Sequence, residues 1–264
     1  MYSFGFIGCG NMGGTLARKV AEQTANVAVA DRDPDAARRI AEATGAVVSS
    51  NGEIASSARY VVLGVKPQVL PRVLEEIAPA LSARKDAYTL ISMAAGVRTE
   101  KIASILGFPC GILRIMPNTP AGVGQGMIVF AGNDRVTEEE RNDFLLAFAP
   151  AGKILPVAED LIDACSAVSG CGPAFVYMFI EALADGGVRC GLPRAMAMEL
   201  AAQTVLGSAK TVLESGKHPG ALKDAVCSPG GSTIEGVQTL ESGAFRGTVS
   251  EAVRAAFERT VELG

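Results

Sequence analysis

The chain has 264 residues, 48% of them hydrophobic and 20% charged, with a formal net charge of −4. That composition is typical of a well-buried globular protein and excludes an intrinsically disordered chain. The net charge, and the lack of any basic run interleaved with aromatic residues, exclude an extended nucleic-acid-binding surface, because phosphate backbones are bound by clustered Lys and Arg. The length allows one large domain or two modest ones.

The apolar N-terminus lacks a basic stretch and a cleavage site, so we interpret it as a first strand and not as a signal peptide. The apolar run 174–183 is too short to span a bilayer, and we expect no membrane partner. With one histidine in the chain, and no metal-ligand spacing among six cysteines, we expect no metal site. Reduced, mostly buried thiols would fit a cytoplasmic protein.

A strand at Phe4–Ile7 runs directly into Gly8-x-Gly10-x-x-Gly13 and then into a helical pattern. Strand, glycine turn and helix form the context that the dinucleotide fingerprint requires. Gly8 permits the tight turn, Gly10 has no side chain to keep a pyrophosphate from the backbone, and Gly13 allows close packing of helix on strand. The alternative is a glycine-rich turn without a ligand, but the context favours a nucleotide site at the helix N-terminus.

The second strand, 27–30, ends at Asp31, near the usual position of the acid that binds the adenine ribose hydroxyls. Arg32 follows directly, where an arginine can bind the 2′-phosphate of NADP. Asp31 favours NAD and Arg32 favours NADP, so the two residues conflict. We expect both coenzymes to be used, with NADPH preferred.

Strands and helices then alternate at a spacing of about 20–25 residues, which predicts a doubly wound parallel sheet. The predicted strands are 46–48, 60–65, 88–92, 111–115, 127–130 and 153–156. The predicted helices are one starting at Asp33–Pro34 and four at 50–57, 69–80, 99–106 and 137–148. Ligands bind beyond the carboxyl ends of such strands, where five loops should meet. These loops are 8–13, 31–32, 66–67, 92–96 and 116–120.

The pattern changes after residue 158: we predict a Rossmann-type domain over 1–158 and an all-α domain over 159–264. Helices are predicted from 169–173 onward, over 193–214 and over 248–263. The turns at 174–184 are apolar on nearly every face, so that helix must be buried on all sides. About a hundred residues supply too small a core to surround it. We therefore predict a homodimer.

A second motif, Ser228-Pro-Gly-Gly-Ser-Thr233, precedes a helix predicted to begin near Ser232. Pro229 fixes a turn, and Gly230 and Gly231 permit backbone angles closed to other residues. The free N–H groups that follow suit a carboxylate. The alternative is an ordinary Ser/Thr helix cap. His218, in a probable loop nearby, is interpreted as a solvated or capping residue rather than a general base.

Several segments together resemble the pyrroline-5-carboxylate reductase family, and the resemblance covers both halves of the chain. The Ser-Pro-Gly-Gly-x-Thr element is specific to that family, whereas other two-domain dehydrogenases share only the first domain. The segments are 6–13 (FIGCGNMG), 64–67 (GVKP), 116–120 (MPNTP), 168–175 (VSGCGPAF) and 224–236 (DAVCSPGGSTIEG).

The resemblance implies reduction of 1-pyrroline-5-carboxylate to L-proline with NADPH or NADH, the last step of proline biosynthesis. It also implies an α-helical dimerisation domain and dimers that often assemble into decamers. The loop would receive the substrate carboxylate, and Thr233 would bond the ring nitrogen. The implied substrate-binding residues are Ser228, Gly230, Gly231, Ser232 and Thr233.

The fingerprint and the resemblance together give a set of candidate coenzyme-binding residues. Asn51 would contact the adenine ribose, and the loops at 65–67 and 116–120 would line the nicotinamide side. Cys171 departs from the family pattern, where a small hydroxyl residue or glycine is usual. The set is Gly8, Cys9, Gly10, Asn11, Met12, Gly13, Asp31, Arg32, Asn51, Val65, Lys66, Pro67, Met93, Ala94, Asn118, Thr119 and Pro120.

A cyclic imine is basic enough to reach the enzyme nearly protonated, so hydride transfer to it needs no strong protein acid. This fits a chain without an obvious catalytic dyad, and it leaves Thr233 as the candidate catalytic residue through positioning. Lys66 is more readily interpreted as a phosphate neutraliser than as a proton donor. Two alternatives are a hydroxy-acid dehydrogenase using a lysine acid and a non-enzymatic nucleotide sensor. The candidate acids are Lys210, Lys217 and Lys223.

Overall fold

The computed structural model describes residues 1–263, and its first part is an α/β domain built on one eight-stranded sheet. The strands are β1 (Tyr2–Ile7), β2 (Val27–Ala30), β3 (Val47–Val48), β4 (Ala58–Leu63), β5 (Thr89–Ser92), β6 (Gly111–Met116), β7 (Gly126–Gly132) and β8 (Gly152–Pro156). The helices between them are α1 (Asn11–Ala21), α2 (Pro34–Thr44), α3 (Asn51–Ser57), α4 (Leu70–Ser82), α5 (Thr99–Leu106) and α6 (Glu138–Phe148).

The strand order is β3-β2-β1-β4-β5-β6-β7-β8, and the pairs from β3 to β6 are all parallel. The first six strands therefore have the order of a Rossmann fold, and the direction of winding reverses between β1 and β4. β7 runs antiparallel to β6, because the short connection between them cannot form a parallel crossover. The predicted fold class is confirmed.

Both faces of the sheet are buried, which explains the continuous apolar runs in the central strands. One face packs against α1, α2 and α6, and its core includes three aromatic rings in sequence: the ring of Phe4 lies 4.8 Å from that of Tyr60 and 6.0 Å from that of Phe148. The other face packs against α3, α4 and α5 with mostly aliphatic residues. This rigid sheet fixes the loops at its carboxyl edge.

Helical elements alone follow β8, and the described chain after residue 156 contains no strand. They are a 3₁₀ turn (Glu159–Leu161), α7 (Ile162–Cys165), a π-helix (Ser166–Gly170), α8 (Gly172–Arg189), α9 (Arg194–Ser215), α10 (Pro219–Ala225), α11 (Ser232–Ser242) and α12 (Phe245–Leu263). The all-α character predicted for this part is therefore confirmed.

The chain forms two compact units, one of residues 1–171 with the end of α12 and the other of Gly172–Ala255. Residues 159–171 thus pack with the sheet, although the sequence pattern placed the division at 158/159. The reason is Ile162, which is fully buried in a cluster with Met116 and Val129. The boundary predicted from the sequence marks the end of the last strand, whereas the compact units are defined by which residues pack together.

The second unit buries few of its described residues in a single chain. Its small core is formed by Ala184, Ala197 and Ala201, with Ile180 and Val188 against it. A core this small leaves much of the apolar surface of α8 and α9 uncovered. The large apolar side chains exposed along these two helices include Tyr177, Met178, Leu200, Leu206 and Leu213.

One helical run, Glu159–Arg189, is by length and composition alone long and apolar enough to cross a membrane, and little of it is buried. The expectation that the apolar run is too short to span a bilayer rested on 174–183 and missed the continuation of the helix on both sides. Core helices of soluble proteins can have the same length and composition.

Two local predictions differ from the structure. The strand predicted over 60–65 ends at Leu63, because the chain turns at Gly64, whose backbone packs against Gly8. The cysteines were expected to be mostly buried, but only two are: Cys9 and Cys110 are buried, Cys190 is exposed, and the others are partly exposed.

Candidate functional site

The first glycine turn is held by close backbone contacts that leave no room for side chains. Gly8 has a φ of +102°, and a Cβ there would lie 2.7 Å from the carbonyl of Gly64. A Cβ on Gly13 would collide with the carbonyl oxygen of Gly8. The loops after β1 and β4 therefore touch at the point where the winding of the sheet reverses, which is where doubly wound folds bind ligands.

Gly10 is different, because a Cβ at this position would have no atom within 4 Å. Gly10 is exposed and forms the N-cap of α1, and no described side chain caps that helix. The first N–H groups of α1 thus face open space, with the positive end of the helix dipole behind them. This geometry fits a pyrophosphate, as the sequence predicted.

Asp31, at the end of β2, accepts a hydrogen bond from the backbone N–H of Cys9 at 2.6 Å and another from that of Asp33 at 2.8 Å. The carboxylate therefore ties the glycine turn to the end of β2, a contact that the sequence did not indicate. Its neighbour Arg32 is exposed. The structure thus places an anchored carboxylate and an exposed guanidinium side by side.

Cys9 lies inside the glycine turn, but its thiol is buried. Burial, followed in size by the effect of the nearby Asp31 carboxylate, raises the pKa of the Cys9 thiol to about 12. The protonated thiol donates a hydrogen bond to the carbonyl of Ala30 at 3.5 Å. Cys9 is therefore a neutral, buried packing residue.

Asn51, the candidate for the adenine ribose, is the first residue of α3. Ser50 caps this helix, with Glu53 completing a capping box. The Asn51 side-chain amide donates to Glu76 on α4 at 3.0 Å, and the residue is partly exposed. Its amide oxygen is the group left for a ligand.

Predicted coenzyme-binding residues lie on the three loops after β4, β5 and β6, and the first two of these loops present accessible groups. Lys66 is exposed, Val65, Pro67 and Met93 are partly exposed, and Ala94 is buried. On the third loop, after β6, a short 3₁₀-helix begins at Thr119, which is exposed, and Pro120 is its second residue.

Asn118 departs from the rest of the predicted coenzyme set, because both polar ends of its side chain are used inside the protein. Its oxygen accepts from the N–H of Met127 at 2.8 Å, and its nitrogen donates to the carbonyl of Ser169 at 2.8 Å. Asn118 is 8% exposed. Any effect it has on a coenzyme acts through the loop it holds.

The second unit contains the other predicted site. The N–H of Gly231 bonds the carbonyl of Ser228 at 3.0 Å, and Gly230 has a φ of +67°, as a type II turn requires. α11 then begins at Ser232 with Gly231 as N-cap and no side-chain cap from the described residues. The predicted alternative of a Ser/Thr helix cap is therefore wrong.

The hydroxyls of Ser228, Ser232 and Thr233 have no hydrogen-bond partner among residues 1–263, and all three residues are exposed. Uncapped N–H groups beside free hydroxyls form a site suited to a small carboxylate. The approach of this loop to the coenzyme-binding edge stays a prediction. His218 accepts from the N–H of Gly220 at 3.0 Å and caps α10, so the capping interpretation of this histidine is confirmed.

Sequence reasoning missed a charged cluster beneath the carboxyl edge of the sheet. Arg114, fully buried on β6, contacts Asp163 at 2.5 Å and lies 3.9 Å from Glu159. Glu159 in turn accepts from the N–H and hydroxyl of Thr99 at the start of α5. The available signal was an arginine inside an otherwise apolar strand, since buried charges are almost always paired.

Among residues 1–263, no group of three or more His, Cys, Asp or Glu side chains is arranged to hold a metal ion. A large cavity within the first unit, about 640 Å³, lies between α4, α5 and the end of α12. Pro67, Lys101, Asp163 and Thr260 are among its lining residues. It lies beside the predicted coenzyme loops and was not indicated by any sequence pattern.

Sheet order, glycine turn and uncapped α1 are those of a dinucleotide-binding domain, which an all-α region follows in the chain. Residues 3–96 match a family model described as NADP oxidoreductase coenzyme F420-dependent, and residues 159–263 match one described as pyrroline-5-carboxylate reductase dimerisation.

Full-length relatives agree with these matches. The chain is 44% identical to pyrroline-5-carboxylate reductase of Escherichia coli, over 98% of this chain and 97% of the relative. It is 46% identical to that of Synechocystis, with the same shares covered. A crystal structure of the Plasmodium falciparum pyrroline carboxylate reductase with NADP bound superposes with a TM-score of 0.89 at 35% identity, covering 100% of this chain and 98% of that one. The chain belongs to the pyrroline-5-carboxylate reductase family of NAD(P)H-dependent oxidoreductases.

Proposed function

We propose that this protein reduces 1-pyrroline-5-carboxylate to L-proline with NADPH, as the last step of proline biosynthesis. The observation that carries the proposal is the uncapped turn at Ser228–Thr233, which leaves backbone N–H groups and three hydroxyls free for a small carboxylate. A coenzyme-binding turn alone would fit many substrates. The second turn selects the substrate class within the family.

The coenzyme would bind across the carboxyl edge of the sheet. The N–H groups at the start of α1 would hold the pyrophosphate, with the open space at Gly10 admitting it. The loops at 65–67, 93–94 and 118–120 would line the nicotinamide side. When bound, the reduced nicotinamide supplies the hydride, and the chain supplies binding, orientation and exclusion of water.

The substrate would be oriented by the second turn. The N–H groups after Gly230 and the hydroxyls of Ser228 and Ser232 would hold the carboxylate, and the Thr233 hydroxyl would bond the ring nitrogen. Because the ring nitrogen is basic, it carries its own proton, and the site needs no strong acid. Correct placement of the ring carbon is then the main contribution of the protein to the rate.

Preference for NADPH rests on Arg32. Asp31 would repel a 2′-phosphate, but two backbone N–H groups already hold its carboxylate at 2.6 and 2.8 Å. Arg32 is exposed and available for an anion. We propose that NADH is also accepted, because the Asp31 carboxylate tolerates free ribose hydroxyls.

The active form is a homo-oligomer, and we propose a dimer that assembles further into a decamer. The exposed apolar surface of α8 and α9 would be covered by a second copy and not by lipid. We also propose that the protein has neither nucleic-acid nor membrane partners and lies in the cytoplasm, where six unpaired cysteines persist as thiols.

The experiment is a spectrophotometric assay with purified protein, 1-pyrroline-5-carboxylate and either NADPH or NADH. We expect loss of the reduced-nicotinamide absorbance and formation of one proline per coenzyme oxidised. A parallel assay uses proline and, separately, a set of small 2-hydroxy acids with the oxidised coenzymes. Turnover of a hydroxy acid without turnover of the imine would contradict the proposal.

A further inference from the structure

Asn118 stands between three parts of the first unit. It follows β6 in the nicotinamide-side loop, its oxygen binds the start of β7 at Met127, and its nitrogen binds the carbonyl of Ser169 in the π-helix. Both bonds measure 2.8 Å, and the side chain is almost entirely buried. The oxygen and the nitrogen of this side chain are therefore both already bonded inside the protein.

The bond to Ser169 is made where the helix is irregular. In a regular α-helix the carbonyl of Ser169 would accept from the N–H of residue 173. That residue is Pro173, which has no N–H. The run is π-helical here, with the N–H of Cys171 bonding the carbonyl of Ser166 at 2.9 Å. π-Helical turns often mark functional sites.

Two further ties link the same segment to the sheet edge. Arg114, four residues before Asn118, binds Asp163 at 2.5 Å. Glu159 binds Thr99 at 2.6 and 2.8 Å and so holds the loop after β5. The loops after β5 and β6 are therefore both held by residues 159–169, and Asn118 is the one of these contacts that lies in the predicted nicotinamide-side loop 116–120.

We propose that Asn118 is a positioning residue, which holds the Met116–Pro120 loop against the π-helix and thereby fixes the nicotinamide-side wall without touching the coenzyme through its side chain. The inference rests on the proposed reduction of 1-pyrroline-5-carboxylate. Loss of this tie lets the loop shift, and a misplaced reactant lowers the rate of hydride transfer more than the affinity for the coenzyme.

The test compares Asn118→Ala with wild type in three measurements: kcat with saturating NADPH, the Kd for NADPH, and the thermal unfolding midpoint. We expect kcat to fall about 30-fold, on the scale of effects from loss of orientation. The Kd should stay within about 2-fold, because the side chain contributes no direct bond. A 10-fold rise in Kd with kcat unchanged would make Asn118 a direct coenzyme ligand and overturn the proposal.

The double variant Asn118→Ala, Pro173→Ala separates positioning from mere stability. The alanine introduced in place of Pro173 adds an N–H at the position that pairs with the Ser169 carbonyl in an α-helix, and it does not restore the link to the loop. We expect the unfolding midpoint to recover toward wild type while kcat stays low. Recovery of kcat together with the midpoint would mean that Asn118 serves stability alone.

A second single variant, Asn118→Leu, removes both hydrogen bonds, keeps the volume of the side chain and buries no charge, so it remains informative if the alanine variant does not fold. We expect kcat to fall by a similar factor, and wild-type kcat would contradict the role of the Ser169 bond. Failure of the wild type itself to turn over the imine would refute the proposed function. In that case the Kd of Asn118→Ala still decides whether the side chain binds the coenzyme.

Discussion

The two turns that carry predicted site residues are built in opposite ways. The turn at Gly8–Gly13 is held where it meets the sheet, because Gly64 and Asp31 contact its backbone and the sheet beneath is buried on both faces, and it is open at Gly10. The turn at Ser228–Thr233 is exposed, and the unit that carries it has a core of three alanines. The first turn is therefore fixed by contacts within its own unit, and the structure shows fewer such contacts at the second turn.

The strongest test of this difference is a substitution that prevents a second copy of the chain from covering the second unit. Met178→Asp puts a carboxylate on an α8 residue that is 70% exposed in the single chain. If a second copy covers it, the charge loses its water without a partner, and we expect the dimer Kd to rise at least about 100-fold, close to 2.7 kcal/mol. Analytical ultracentrifugation measures the dimer Kd. The value of kcat/KM should fall with the fraction of protein that is dimeric.

The matched control is Leu146→Asp, which changes an equally exposed side chain, 70%, on α6 of the first unit. This variant should keep wild-type assembly and activity. Equal effects of the two substitutions, or a dimer unaffected by Met178→Asp, would contradict coverage of α8 by a second copy.

The next largest effect should come from filling the rigid turn. Gly13→Ala places a methyl group against the carbonyl oxygen of Gly8, and the backbone has to move. We expect the Kd for NADPH to rise about 30-fold, or about 2 kcal/mol, because the N–H groups at the start of α1 lose their alignment. Isothermal titration measures this affinity. Gly52→Ala, where a Cβ would meet no atom within 4 Å, should leave it unchanged.

Thr233→Ala tests the exposed turn. We expect kcat/KM for the imine to fall by about 10-fold or more, the loss of one or two positioning hydrogen bonds. The affinity for NADPH should not change, because the pyrophosphate and ribose contacts belong to the first unit. Thr239→Ala, on the same helix, is the control, since it removes a hydroxyl that bonds the carbonyl of Glu235. An unchanged kcat/KM in Thr233→Ala would contradict the positioning role assigned to Thr233.

The smallest effect concerns the choice of coenzyme. Arg32→Ala should raise KM for NADPH about 5-fold and leave KM for NADH nearly unchanged, because an exposed arginine contributes a screened bond to a 2′-phosphate. Arg38→Ala is the control, since Arg38 is already paired with Asp35 at 3.0 Å. A preference for NADPH that survives the Arg32 substitution would refute the role of this residue.

Sequence patterns predicted the first unit well because its elements are local. β1, the glycine turn and α1 follow from apolar runs and glycine spacing, and each of the strands from β3 to β8 lies where an apolar run predicted one. The direction of β7 and the packing of 159–171 were not predicted, because they depend on a short connection and on Ile162 meeting Met116 across the fold.

The internal partners of side chains were harder to predict than elements. Asp31 bonds the N–H of Cys9, 22 positions away in the sequence, and no pattern indicated this bond. Asn118 bonds the carbonyl of Ser169, 51 positions away, and this bond was not indicated either. A motif shows which residue types occur together, whereas these partners are brought together only by the tertiary fold. The backbone turn at Ser228–Gly231 was predicted correctly because its geometry is set within a few residues, by Pro229 and the two glycines after it.

The most direct measurement of the central claim follows the hydride. Purified protein is incubated with 1-pyrroline-5-carboxylate and NADPH deuterated at the reactive C4 position, and the product is analysed by mass spectrometry and NMR. Wild type should give proline with one deuterium at C5, and Thr233→Ala should give the same product more slowly. No proline, or proline without deuterium from either C4 face, would contradict the assignment of this chain as the reductase.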